Sequence, residues 1–120
     1  MAATFEWLNS TALYSTLLIP DTATVMYANP AATTTFVTSI LLHNTHSSAL
    51  TVTLYRVPDV ATAVGTAAAG NQFFVRSMPA YETFVINDMT MILGDTNDTI
   101  QATCGTASKV TMFIDGVQKT

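Results

Sequence analysis

The chain has 120 residues, enough for one domain that buries roughly two thirds of its unfolded surface and needs no covalent staple. Hydrophobic residues make up 49% of it and charged residues only 10%, where an ordinary soluble domain carries about a quarter charged. The net charge is −4 and the four cations, Arg56, Arg76, Lys109 and Lys119, are scattered, which argues against a nucleic-acid partner; no apolar run approaches the roughly 20 residues of a membrane helix.

Residues 1–20 stand apart from the rest. Phe5, Trp7, Leu8, Leu13 and Tyr14 follow no clear period, and Pro20-Asp21 closes the segment. It reads as an N-terminal arm or edge segment, with residues 21–120 as the body. The start, Met-Ala-Ala-Thr-Phe-Glu-Trp, lacks the basic and apolar regions of a secretion signal, so release into a cytoplasm is expected. Asn9-Ser10-Thr11 and Asn97-Asp98-Thr99 are then glycosylation sequons by accident.

From Asp21 onward, aliphatic residues alternate with threonine, which is nearly a fifth of the chain. Leu50-Thr51-Val52-Thr53-Leu54-Tyr55 is the cleanest case, with Leu, Val and Leu on one face of a pleated strand. The pattern predicts strands at 22–28, 34–43, 50–57, 72–76, 82–86, 89–93, 99–104 and 109–115. Turns fall at Asn29-Pro30-Ala31, Asn44 to Ser48, Gly94-Asp95 and Gly105-Thr106. Seven or eight short strands at this spacing predict an all-β fold, an antiparallel β-sandwich of jelly-roll type. Val60 to Ala69 is Ala-rich but broken by Gly65 and has no apolar stripe, so a mobile loop is expected rather than a helix.

Several strands are apolar on both faces. Strict alternation sets Val37 and Leu41 opposite Phe36, Ile40 and Leu42, and Phe113 opposite Val110, Met112 and Ile114. A sandwich core uses one face, so the second set needs another cover, either a neighbouring subunit or the N-terminal arm. The candidate protein-interface residues are Phe5, Trp7, Leu8, Leu13, Val64, Ala68 and Phe113.

Residues capable of chemistry do not assemble into a motif. His43 and His46 have His-x-x-His spacing, but on a strand such positions face opposite sides and the second falls in a turn. Asp95 to Thr99 is oxygen-rich yet lacks the spacing of a calcium loop, so an Asx-stabilised turn is expected. Ser47 and Ser48 beside His46 have no orienting acid, and no Gly-x-Ser-x-Gly is present. Cys104, the single cysteine, sits on the side of Ile100 and Ala102 and reads as buried and inert. The expectation is a protein that is not an enzyme and takes no metal or cofactor. Trp7, Tyr27, Tyr55 and Tyr81 keep open a glycan-binding alternative.

Two phrases at the start of the body carry a resemblance. Thr24-Val25-Met26-Tyr27-Ala28-Asn29-Pro30-Ala31 precedes Thr34-Thr35-Phe36-Val37-Thr38-Ser39-Ile40-Leu41-Leu42-His43-Asn44-Thr45. Further on stand Ala49 to Tyr55, Pro79-Ala80-Tyr81-Glu82-Thr83, Leu93-Gly94-Asp95, Thr99 to Ala102 and Ile114-Asp115-Gly116-Val117. In that order, over about residues 22–118, they resemble small β-sandwich structural proteins of tailed bacteriophage virions. Asn97-Asp98 interrupts the Gly-Asp-Thr-Ile of that pattern. The resemblance implies a virion structural protein, a capsid decoration or cement protein in the first reading and a tail, baseplate, neck or fibre component in the alternative. Its expected partners are itself, as a homo-oligomer such as a trimer, and virion proteins such as the major capsid protein.

Overall fold

The computed structural model describes residues 10–88 and 90–120, the first six of them by backbone alone. Among the described residues there are nine strands: β1 (Ser10–Leu18), β2 (Thr24–Ala28), β3 (Thr34–Asn44), β4 (Leu50–Val57), β5 (Gln72–Met78), β6 (Thr83–Ile86), β7 (Met91–Leu93), β8 (Thr99–Cys104) and β9 (Val110–Lys119). Among the described residues the one helical piece is a 3₁₀ turn at Ala69–Asn71. The eight expected strands appear within a few residues of their expected bounds, and β1 is the ninth.

All pairings between strands are antiparallel. The first sheet runs β1-β9-β3-β6, with β7 taking up the same edge of β3 further along, and the second runs β2-β8-β4-β5. The chain therefore passes from one sheet to the other at most connections, the interleaving that defines a jelly roll. Ser10–Leu18 is an edge strand of the first sheet, in register with β9 from Ser10↔Lys119 to Leu18↔Thr111.

The core lies between the sheets and is built from the inward residues that the alternation supplies. Leu50, Val52 and Leu54 of β4 meet Ile100, Ala102 and Cys104 of β8 on one side, and Val110, Met112 and Ile114 of β9 close from the other. Ile19, between β1 and β2, is fully buried as well. Each buried Val, Leu, Ile or Met side chain contributes roughly 1.5–3 kcal/mol by leaving water. At the open margin between β5 and β6, Phe74 and Phe84 stack with centroids 5.6 Å apart. The Arg76 guanidinium sits 4.2 Å from the Phe84 ring centre and makes a two-pronged bond to Glu82, at 3.0 and 2.8 Å.

Strand β3 departs from strict alternation. A bulge between Val37 and Ser39, opposite β9, adds one residue and reverses which parity faces inward. Thr35 and Val37 point to the core before the bulge, and Ile40, Leu42 and Asn44 after it. Val37 thus shares the core with Ile40 and Leu42, while Phe36 and Leu41 are the half-buried outward pair, a correction to the faces expected from alternation alone. The expected opposition of Phe113 to Val110, Met112 and Ile114 holds, because β9 runs without a break in parity.

The bulge depends on Gly116. A Cβ there would fall on the Phe36 carbonyl oxygen and within 3.0 Å of the Val37 Cα, both backbone atoms that cannot swing aside. Gly116→Ala is expected to lower stability by roughly 2–4 kcal/mol through overpacking against backbone. Urea unfolding measures this, and an unchanged midpoint would show that the ladder relaxes around the methyl group.

The segment from Pro58 to Gly70 is a pinned loop, not a mobile one. Gln101 on β8 donates to the Gly65 carbonyl at 3.0 Å, and Asn97 donates to the Thr62 carbonyl at 2.7 Å. Gly65 is buried, and a Cβ on it would come within 2.9 Å of Val57 and 2.8 Å of the Pro58 carbonyl, so this small residue fits against the chain's own second sheet. Val60 and Ala63 exchange backbone bonds at 2.8 and 2.9 Å around Ala61 and Thr62, both at positive φ, 51° and 67°. A two-residue turn of this hand prefers Asn-Gly, and a β-branched residue there is strained. Replacing Ala61 by Asn and Thr62 by Gly together should raise stability by about 1 kcal/mol, read as a higher melting temperature.

Candidate functional site

The two ends of the sandwich hold most of the buried polar side chains, and each is centred on an asparagine. Asn44, fully buried at the end of β3, donates to the carbonyls of Ser48, Met78 and Pro79 at 3.1–3.2 Å and accepts from the His46 amide at 2.9 Å. Asn29, after β2, donates to the Thr33 and Asp95 carbonyls at 2.6 and 3.0 Å and accepts from the Thr35 hydroxyl at 2.6 Å. Since Thr35 spends its proton on Asn29, the Tyr27 hydroxyl donates to Thr35 across 2.8 Å and accepts from Gln118 at 2.6 Å. Among the described residues no buried side-chain nitrogen or oxygen lacks a partner.

Beside Asn29 the carboxylates of Asp59, Asp95 and Asp98 bring oxygens within 4.8 Å of one another. The lone pairs of Asp59 and Asp98 serve the loops. Asp98 Oδ2 accepts from the amides of Gly94 and Asp95 at 3.2 and 3.0 Å, its Oδ1 from Asp59 at 3.0 Å, and Asp59 Oδ2 from Thr62 at 2.9 Å. Burial works to raise the Asp98 pKa, but the backbone donors of Asp59, Asp95 and Gly94 outweigh it and hold the carboxyl below its usual range. The interrupting pair Asn97-Asp98 therefore ties the 58–70 loop to the turn before β8. A depressed pKa adds stability above the ordinary aspartate value that is lost as pH falls through the folded value. Asp98→Asn is accordingly expected to melt lower at neutral pH, by about 2 kcal/mol, with the gap to the parent closing in strongly acidic buffer. A gap that stays constant with pH would show that shape, not charge, holds the knot.

The histidines do not converge. His43 lies on the outward face of β3 with Nδ1 2.7 Å from the Thr83 hydroxyl, and His46 Nδ1 accepts from the Ser48 amide at 2.9 Å within its own turn. Cys104 is buried, its Sγ directed at the carbonyls of Thr106 and Ile19, 3.0 and 3.4 Å away. Burial pushes its thiol pKa up, away from reactivity.

What is left uncommitted is the outward face of the first sheet. The registers set its side chains in rows across β9, β3 and the β6–β7 edge. One row is Phe113, Leu41 and Val85; another is Val117, Phe36 and Ile92; Asp115 and Ser39 lie between them. Val85 and Ile92 are 43% and 49% exposed, and Leu18 on β1 is 54% exposed. A shallow depression opens among Leu41, His43, Thr83, Thr111, Phe113 and Asp115.

Of the interface residues expected from the sequence, Phe113 belongs to this face, half-buried. Val64 and Ala68 are exposed on the 58–70 loop. Phe5, Trp7 and Leu8 lie outside the described residues, as does the side chain of Leu13, whose backbone pairs with Gly116. Of the tyrosines, Tyr27 is tied into the Asn29 network and Tyr81 is 62% exposed in the turn between β5 and β6. Sequence reasoning missed Val85 and Ile92 as surface residues, although alternation around Val85 held the signal. Leu41 stands opposite Ile40 and Leu42 as expected, and the residue whose outward position the bulge hid is Phe36.

No family model matches the chain, and no curated protein matches it. Among solved structures its fold is similar to one from work on Bacillus endospore appendages, which form a family of disulfide-linked pili. The TM-score is 0.50 at 15% identity, over 92% of this chain and 86% of the other. The likeness is one of fold.

Proposed function

We propose that this chain is a non-enzymatic structural subunit that acts through protein–protein contact, and that it decorates or cements a virion shell. The observation that carries the reading is the outward face of the first sheet, where two apolar rows, half-buried at Phe36, Leu41, Phe113 and Val117 and exposed at Val85 and Ile92, lack a cover among the described residues while the polar clusters are spent on the chain's own loops. The likeness to a pilus subunit supports a building-block role, and the phage-like phrases support the virion. Shell contacts fall to Phe5, Trp7, Leu8 and Leu13 and to the exposed Val64 and Ala68. The major capsid protein is the partner there, and the tail, baseplate, neck or a fibre is the alternative position.

Assembly of this chain would be non-covalent. A string of disulfide-linked subunits needs two thiols in each, and this chain has one, 4% exposed. A glycan-binding reading has one specific observation in its favour, the depression that sets the Phe113 ring beside Asp115, His43 and Thr83.

Immunogold labelling of purified particles tests the placement. Even coverage of the shell is expected; label confined to one vertex would move the protein to the neck or tail. Absence of the protein from purified particles would overturn the virion reading, and glycan-array binding lost on Asp115→Asn would favour the sugar-binding one.

A further inference from the structure

The rows on the first sheet carry a pattern that selects an occupant. We propose that this face is covered by a second copy of the chain, the two packed sheet on sheet about a twofold axis that runs along the strands between β3 and β9. This rests on reading the chain as an assembling structural subunit, and it names the partner at the face that carries that reading.

An axis in that place lays each outward β9 residue over a β3 residue of the second copy, because the two strands are already in register. Phe113 then meets Leu41 of the second copy, Val117 meets Phe36, and Asp115 meets the Ser39 hydroxyl. The other in-plane twofold, across the strands through the Asp115–Ser39 row, would also put apolar rows on apolar rows. It would set Asp115 against Asp115, two like charges in a seam from which water is excluded, at a cost no nearby cation on that row offsets. The strand-parallel axis sets the two carboxylates on either side of it, offset by one strand spacing of about 4.8 Å instead of one over the other, and gives each a donor in the facing Ser39 hydroxyl.

The area is of the right size. At about 4.8 Å between strands and about 3.3 Å per residue, four strands by the ten residues of β9 cover on the order of 650 Å² before side-chain relief is counted. Specific complexes bury about 800 Å² on each partner. The second sheet offers no equivalent face, since the 58–70 loop bonds down onto Gln101 in the middle of it.

Sedimentation of the isolated full chain tests the surface. The parent protein is expected to run as a dimer, with Val85→Glu and Ile92→Glu weakening association by about a hundredfold at an unchanged melting temperature. Val75→Glu, an equally exposed strand position on β5 of the second sheet, should leave the dimer intact. A parent that sediments as monomer or trimer, or a dimer indifferent to the two face substitutions or equally sensitive to Val75→Glu, would overturn the proposal. For the axis, a short bismaleimide should join Phe113→Cys chains to Leu41→Cys chains in a mixture, and stronger joining of Asp115→Cys chains to one another would place the axis across the strands instead. These measurements need no particles, so loss of the dimer and absence from particles are separate failures.

Discussion

The fold depends on the ladder between β3 and β9. Its register runs from Thr34↔Lys119 to Asn44↔Val110, so it joins the early part of the chain to its last strand. Such non-local pairing forms only after the intervening chain is closed into a loop, and its stability must exceed that entropy. Every other strand of the first sheet is attached to one of these two: β1 to β9, and β6 and β7 to β3. The bulge within the ladder decides which residues face the core along both halves of β3. Without it Val37 and Ile40 could not both be buried, because they are three residues apart. The close approach of the Phe36 carbonyl to Gly116 is the local cost of aligning two half-strands with one core.

The connections between the sheets are then held by neutral side chains and one anion. A jelly roll crosses at its ends, where turns leave carbonyls and amides that water reaches poorly. Asn44 collects three carbonyls from two different turns at one end, and Asn29 with Asp98 does the same for three loops at the other. Asparagine suits this work because its amide donates and its carbonyl accepts, so one side chain closes both kinds of gap. With these residues at the ends, a chain of only 10% charged residues specifies its loops mainly through neutral hydrogen bonds, the Arg76–Glu82 pair at the β5–β6 connection adding to them.

Strand positions were legible because most strands bury one face more deeply than the other, and threonine alternating with aliphatic residues records that face directly. Leu50 to Tyr55 is the plainest example, and the inert Cys104 followed from the same parity. The bulge at Val37 left no such record, since one extra residue changes the parity without changing composition. The 58–70 loop read as mobile because its own small residues give no anchor; the anchors are Gln101, Asn97 and Asp98, far along the chain. Asp98 looked like an ordinary turn residue for the same reason. Its partner Asp59 is 39 positions away and is brought near only by the sheet.

The outward face turns on a similar interplay of apolar area and one polar residue. Two apolar rows would accept many partners and several orientations, since hydrophobic burial has little directionality. Asp115, set between them and beside Ser39, makes some of those orientations costly. A partner that brings an acid or only hydrocarbon to that position leaves a carboxylate without a donor, and one that brings a hydroxyl does not. Because β3 presents Ser39 at the matching height, a second copy of this face is one surface that would satisfy Asp115. Area supplies the attraction, and one carboxylate restricts it to a partner with this register.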